Sequence, residues 1–421
     1  MTDHTGPALT SATHHSWLAT EAHALLDFAQ HTMVDGRGAG WLDEHGTVDP
    51  RHGIQTWITC RMVHCYAIGA LMGHEGAQKI AQNGLDALIS GPLRDHTNGG
   101  WNARIDADPD LYDTADDTTK SAYAHAFVVL AATSAVAAGL RGAEQLLTDA
   151  LEVLDLRFFE ESSGLHVDEW DASWTQLSDY RGVNANMHAV EALLAAGDVT
   201  GETRWHDRAL GIARTVALSW AAPNGWRIPE HFTPAWKPLL EYNEDRKDDK
   251  FKPYGATVGH GIEWARLLLH LDALQPGEHP WLQESARSLY SRAIGDGWRR
   301  STAGEMGFVY TTNWHGTPVV ETRMHWVPAE ALAAAAALFH ATDAPFYAKD
   351  YEEWLGHVRR FFRDDINGSW HHELDTHNQP SGHVWPGKPD IYHAFGAMLT
   401  PLLPLTPTLA SAVKAKAGQL G

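Results

Sequence analysis

The chain has 421 residues, 44% of them hydrophobic and 20% charged, which excludes disorder as its main state and permits a core that needs no covalent staples. Its 32 Lys and Arg against 53 Asp and Glu leave a net charge of −21, an acidic surface that repels phosphate backbones and excludes nucleic acid as a partner. The two cysteines, Cys60 and Cys65, point in different directions on a helical stretch, so neither a disulfide framework nor a zinc site is implied.

Residues 1–15 are polar, and no basic start is followed by an apolar run, so the expectation is a flexible N-terminus, no secretory signal and a cytoplasmic location. Residues 16–421 read as one domain. Apolar residues at helical spacing, or long Ala-Leu runs, predict helices over Trp17–His31, Thr56–Met72, Ala122–Leu140, Asn186–Ala196, Trp264–Leu274 and Pro328–His340. The longest apolar segment, Ala126–Leu140, is too short to span a bilayer, which excludes a membrane partner of that kind. Between the helices a glycine followed by an aromatic recurs at Gly40-Trp41, Gly99-Gly100-Trp101, Gly164 to Trp170, Gly225-Trp226, Gly307-Phe308 and Gly368-Ser369-Trp370. A helix pair cannot bury its apolar face alone, and stacking pairs around a ring does so. Six helix pairs, each with a short hairpin at one end, therefore predict an all-α toroid.

Candidate chemistry follows the chain. Trp57 and Arg61 are i,i+4 neighbours, so an indole and a guanidinium share a helix face, where they can hold a sugar or form a buried cation–π contact. Tyr123 opens the next predicted inner helix. Asn184 and His188 share a face in the same way, and each can donate and accept at a hydroxyl. Glu241–Lys250 is the most polar segment and reads as a surface loop near the pocket mouth or a solvated charge run. His260 and Glu263, three apart beside two glycines, suit a carboxylate-supported imidazole base; a satisfied histidine at a helix start gives the same pattern. His371-His372-Glu373 suggests a metal, but adjacent strand residues face opposite ways and no metal-ligand spacing appears, so no metal is expected. His393 follows a proline-set turn and opens a late helix. No phosphate loop or G-x-S-x-G elbow is present.

These motifs together resemble the N-acylglucosamine 2-epimerase superfamily, and most closely its branch of bacterial mannose and sulfoquinovose isomerases. The matching stretches are Thr56–Met62, Leu93-Arg94-Asp95 with Gly99-Gly100-Trp101, Asp179–Gly182 with Asn184–Glu191, and Pro253-Tyr254-Gly255 with Gly259-His260 and Glu263-Trp264. Gly307–Tyr310, Asn367–Trp370, Val384-Trp385 and Asp390–His393 complete them, in order along nearly the whole chain. The resemblance implies an (α/α)6 barrel as a single catalytic domain, with His260 and His393 as catalytic histidines and Glu263 orienting His260. It implies that Arg61, Tyr123, Asn184 and His188 line the sugar site, with Trp57, Trp385 and His372 as further candidates, and that neither metal nor organic cofactor is needed. Sulfoquinovose isomerases are expected to carry Gln at the positions of His372 and Pro389 and Arg at that of Lys250. Pro389 has no side-chain donor for a sulfonate, which favours a neutral hexose.

The implied reaction is aldose–ketose isomerisation of D-mannose and D-fructose, extending to D-lyxose and D-xylulose, through a cis-enediol. Arg61 would stabilise the developing enediolate. Sulfoquinovose isomerase and sugar 2-epimerase are the alternatives within the superfamily. From another class, a polysaccharide hydrolase or lyase on the same barrel would need paired carboxylates, for which Asp116, Asp117, Glu169, Asp171, Glu373 and Asp375 are the candidates.

Overall fold

A computed structural model describes residues 7–108 and 116–416. Its α-helices are α1 (Ala12–Phe28), α2 (Thr56–Leu71), α3 (Ala77–Ser90), α4 (Ala122–Ala137), α5 (Ala143–Val153), α6 (Val183–Thr200) and α7 (Thr203–Arg214). They continue with α8 (Val258–Asp272), α9 (Trp281–Gly297), α10 (Trp326–Thr342), α11 (Pro345–His357), α12 (Tyr392–Leu399) and α13 (Leu409–Ala415).

Composition sorts them into two layers. A helix that is apolar all round must be enclosed, whereas one with an apolar stripe faces solvent. Along α4, AYAHAFVVLAATSAVA leaves only Tyr123 and Val136 incompletely buried, and the α10 run of alanines and leucines is buried from Val327 to Leu338. Both belong to an inner ring in which α2, α4, α6, α8, α10 and α12 pack in sequence and α12 returns to α2. The amphipathic helices α3, α5, α7, α9 and α11 each back the inner helix that precedes them. The sixth outer position, behind α12, is filled by α1 from the other end of the chain. This is the six-pair toroid expected from the repeats. α13 packs against α2 and α4.

Five inner helices are entered through a two-residue strand. Ile54–Gln55 pairs with Arg104–Ile105 before α2, and Lys120–Ser121 with Glu169–Trp170 before α4. Arg181–Gly182 pairs with His231–Phe232 before α6, Ala256–Thr257 with Thr311–Thr312 before α8, and Arg323–Met324 with Glu373–Leu374 before α10. In every pair the partner strand is the chain returning from that unit's outer helix. The antiparallel pairs therefore pin the first turns of the inner helices at one end of the ring.

Two expectations change. Residues 8–15, expected to be flexible, are held: a 3₁₀ turn spans Ala8–Thr10, Leu9 is buried, the Ala8 N–H donates to Glu352 at 2.8 Å, and Ser11 caps α1. A cap and one buried leucine outweigh the polar composition. Residues 1–6 of that segment lie outside the described residues. The helices also start earlier than their apolar runs suggest, α6 at Val183 and α8 at Val258, because the preceding strands set the first turn. Among the described residues no helix is long and apolar enough to cross a membrane.

Candidate active site

Because the inner helices all begin at the hairpin end, residues of their first two turns converge there. They bound an open cavity. All ten residues singled out from the sequence line it: Arg61, Trp57, Tyr123, Asn184, His188, His260, Glu263, His372, Trp385 and His393. Lys250 and Phe251, at the end of the polar 241–250 loop, complete the wall with Tyr310, His325 and Trp326.

Arg61 is the sole charged residue in α2 and is buried. Its guanidinium donates to Asp390 at 3.2 Å, to the Tyr123 hydroxyl at 3.1 Å and to His393 Nε2 at 3.4 Å. The rings of Trp57, Phe127 and Tyr392 lie 4.7–4.9 Å from it. Burial opposes the charge, but Tyr123 and Asp390 hold the arginine above its ordinary pKa. Asp390 is fixed in turn by the Tyr392 N–H at 2.9 Å.

An arginine can only donate, so His393 Nε2 must carry a lone pair and Nδ1 the proton. That Nδ1–H meets Glu330 at 2.9 Å. Burial lowers the His393 pKa, Arg61 lowers it further, and Glu330 works the other way. The result is a neutral imidazole whose free nitrogen faces the cavity with a guanidinium beside it. His260 has the same construction: its Nδ1 meets Glu230 at 2.9 Å. The Trp326 ring lies 5.3 Å from the His260 ring and 5.8 Å from the His393 ring.

The expectation that Glu263 orients His260 is corrected. Glu230, which directly precedes the strand His231–Phe232, takes that position. Glu263 has Arg266 at 3.5 Å as its ionic neighbour, and its Oε1 is buried without a hydrogen-bond partner. The i,i+3 spacing places His260 and Glu263 on one helix face, but the shared face does not fix which carboxylate the imidazole meets.

The remaining walls are polar on one side and aromatic on the other. His188 is held neutral, its pKa pushed by burial to about 4, with Nδ1 facing Glu191 at 3.7 Å, and Asn184 Oδ1 is buried with no hydrogen bond. Such a buried orphan atom is costly unless a ligand meets it. His372 stacks on His325 at 3.6 Å and donates from Nε2 to the Asp390 carbonyl at 3.0 Å, so that nitrogen braces the wall. Trp385 lies parallel to Trp41 at 5.9 Å, and the Lys250 ammonium sits 4.1 Å from the one ring and 4.3 Å from the other.

Other candidate chemistry disperses. In His371-His372-Glu373, His371 faces Glu44 and Asp364, His372 faces His325, and Glu373 accepts from the backbone N–H groups of His383, Val384 and Trp385. Where carboxylates and imidazoles do cluster, a protein cation is already present: Lys388 on Asp364, and Arg266 on Glu330. The six carboxylates considered for glycoside hydrolysis lie outside the cavity wall. Asp171 and Asp375 cap their own hairpin loops, and Glu169 pairs with Lys252 at 3.7 Å.

The sequence of the family described as N-acylglucosamine 2-epimerase (GlcNAc 2-epimerase) matches residues 38–397. A D-mannose isomerase of Thermobifida fusca is 48% identical over 403 residues, covering 96% of this chain and 97% of its own. A D-mannose isomerase of Pseudomonas cannabina pv. alisalensis is 43% identical over 413 residues, covering 96% of each. A crystal structure of a D-mannose isomerase superposes with a TM-score of 0.84 at 30% identity, covering 94% of this chain and 99% of that one.

Proposed function

The chain belongs to the N-acylglucosamine 2-epimerase family, and from that premise we propose that it is an aldose–ketose isomerase interconverting D-mannose and D-fructose. The single observation that carries the chemistry is the pair of imidazoles in one cavity, each with Nδ1 on a buried carboxylate. A carboxylate on one ring nitrogen fixes the tautomer and strengthens the other as a base.

In this reading His393 assists ring opening of the bound hexose. His260 then removes the proton from C2 of the open-chain aldose, leaving an enediolate across C1 and C2. The same imidazolium returns a proton to C1, while His393 carries the hydroxyl proton between O2 and O1. Arg61, within 3.4 Å of His393, donates to the oxygen that gains negative charge, a preorganised stabilisation. Protons balance, so no external acid or base is consumed. Asn184 and His188 supply the polar atoms for the remaining hydroxyls, and Trp57 and Trp385 cover the apolar faces of the sugar. D-Lyxose and D-xylulose undergo the same chemistry without C6, and the proposal needs neither metal nor organic cofactor.

The test is a panel of aldoses and ketoses in deuterated water, with and without a chelator. D-Mannose and D-fructose should interconvert with deuterium entering at C1 and C2, unaffected by the chelator. His260→Ala should abolish both turnover and exchange in a folded protein. Near-normal turnover in that variant, or loss of activity on chelation, would overturn the mechanism.

A further inference from the structure

Beneath the cavity floor three carboxylates gather around one guanidinium. Arg266 donates to Glu330 at 2.8 Å and lies 3.5 Å from Glu263. Glu191, from α6, faces the same group, accepts from the Tyr392 hydroxyl and has His188 at 3.7 Å. The second buried cation nearby, Arg61, is already matched by Asp390. The floor therefore holds one carboxylate more than its hydrogen-bonded cations and donors can serve.

The three are not equivalent. Glu330 takes Arg266 on one oxygen and the His393 Nδ1–H on the other, so two donors stabilise its ionised form. Glu191 takes a phenol. Glu263 is 1% exposed, and its Oε1 has only the Arg266 guanidinium nearby, at 3.5 Å and outside hydrogen-bond geometry. A buried carboxylate that accepts no hydrogen bond is more costly than a carboxylic acid in the same place. When like charges crowd one site, a proton stays on the member with the poorest partners. Burial and the neighbouring Glu330 both push the Glu263 pKa well above the ordinary carboxylate range, against the opposing pull of Arg266.

We propose that Glu263 is a neutral carboxylic acid and that its O–H donates a hydrogen bond to an oxygen of the sugar in the cavity. The side chain forms part of the cavity wall, so the donor faces the substrate. This gives the floor a division of labour: Glu330, ionised, holds the base His393, while Glu263, protonated, meets the substrate. No proton is transferred; the bond strengthens as negative charge builds on the sugar oxygen. The donor role rests on the isomerase reading, whereas the protonation state does not.

Infrared spectroscopy of the free enzyme with carbon-13 glutamate separates the two. A labelled carboxylic-acid carbonyl band should be present at neutral pH, persist into mildly alkaline solution and vanish in Glu263→Gln. Asp168, whose pKa burial pushes up to about 7, is silent in a glutamate label. Loss of carboxylate bands in place of the acid band overturns the protonation state, whatever sugar the enzyme uses. For the donor role, Glu263→Gln keeps a neutral donor of the same shape and should retain kcat/KM within about tenfold and an unchanged melting temperature, whereas Glu263→Ala should lose about a hundredfold or more. A Gln variant as impaired as the Ala variant overturns the donor role.

Discussion

An imidazole can serve as a base when its second nitrogen is committed, and here two glutamates make that commitment for His260 and His393. Glu330 raises the His393 pKa against the larger effect of burial, so removing its charge should move the acid limb of the pH–rate profile to lower pH while slowing the reaction. Glu330→Gln and Glu230→Gln are each expected to lower kcat by about 10–100-fold with little change in KM, measured by steady-state kinetics across pH. The sequence singled out both histidines as candidates, His260 beside its flanking glycines and His393 after a proline-set turn, but only the family resemblance gave them a catalytic role. Their carboxylates were not singled out, because Glu230 and Glu330 arrive from other elements and helical spacing reports only neighbours within one helix. One signal was present: Glu330 is the sole charged residue of α10, in a run of alanine and leucine. A lone carboxylate in an enclosed helix has a task, as the lone Arg61 of α2 does.

At the scale of elements, the device that builds the site is the strand that starts each of five inner helices. It fixes where the first turn begins, and the first two turns of the inner helices carry half of the cavity wall. Gly259 shows how tightly this is set: a Cβ there would stand 2.1 Å from the Trp326 ring, which itself touches both histidines. Gly259→Ala should destabilise the fold by about 1–3 kcal/mol and depress turnover more than binding, read from urea melts and kinetics on one preparation. The inner helices were readable because they are apolar all round. Of the outer helices only α1 was read, over Trp17–His31; α3, α5, α7, α9 and α11 carry charge on their solvent faces and gave no such runs, and a two-residue strand is too short to show a period. Hence the toroid was legible, while the pairing that aligns its helices was not.

For the molecule as a whole, the notable quantity is buried neutral imidazole. Burial depresses His64, His188 and His270 to about 4, and His125, His166 and His325 to about 3. The unfolded chain takes up these protons below about pH 6.5, and the folded chain does not. Their contribution to stability is complete above that pH and is lost as pH falls toward the folded values, each surrendering about 1.4 kcal/mol per pH unit in between. The urea midpoint should therefore drop steeply between about pH 6.5 and about pH 4. A flat midpoint across that window would show that the unfolded chain does not gain these protons.

The ring is clasped by its two ends, since α1 lies against α12 and α12 carries His393. During translation this imposes a long wait. α1 leaves the ribosome with an apolar face whose main helical partner, α12, is still 364 residues away in the message. At roughly 5–20 residues per second that is on the order of twenty to seventy seconds. A nascent chain halted before α12 lacks the His393 imidazole, and the apolar face of its first helix needs shelter for as long.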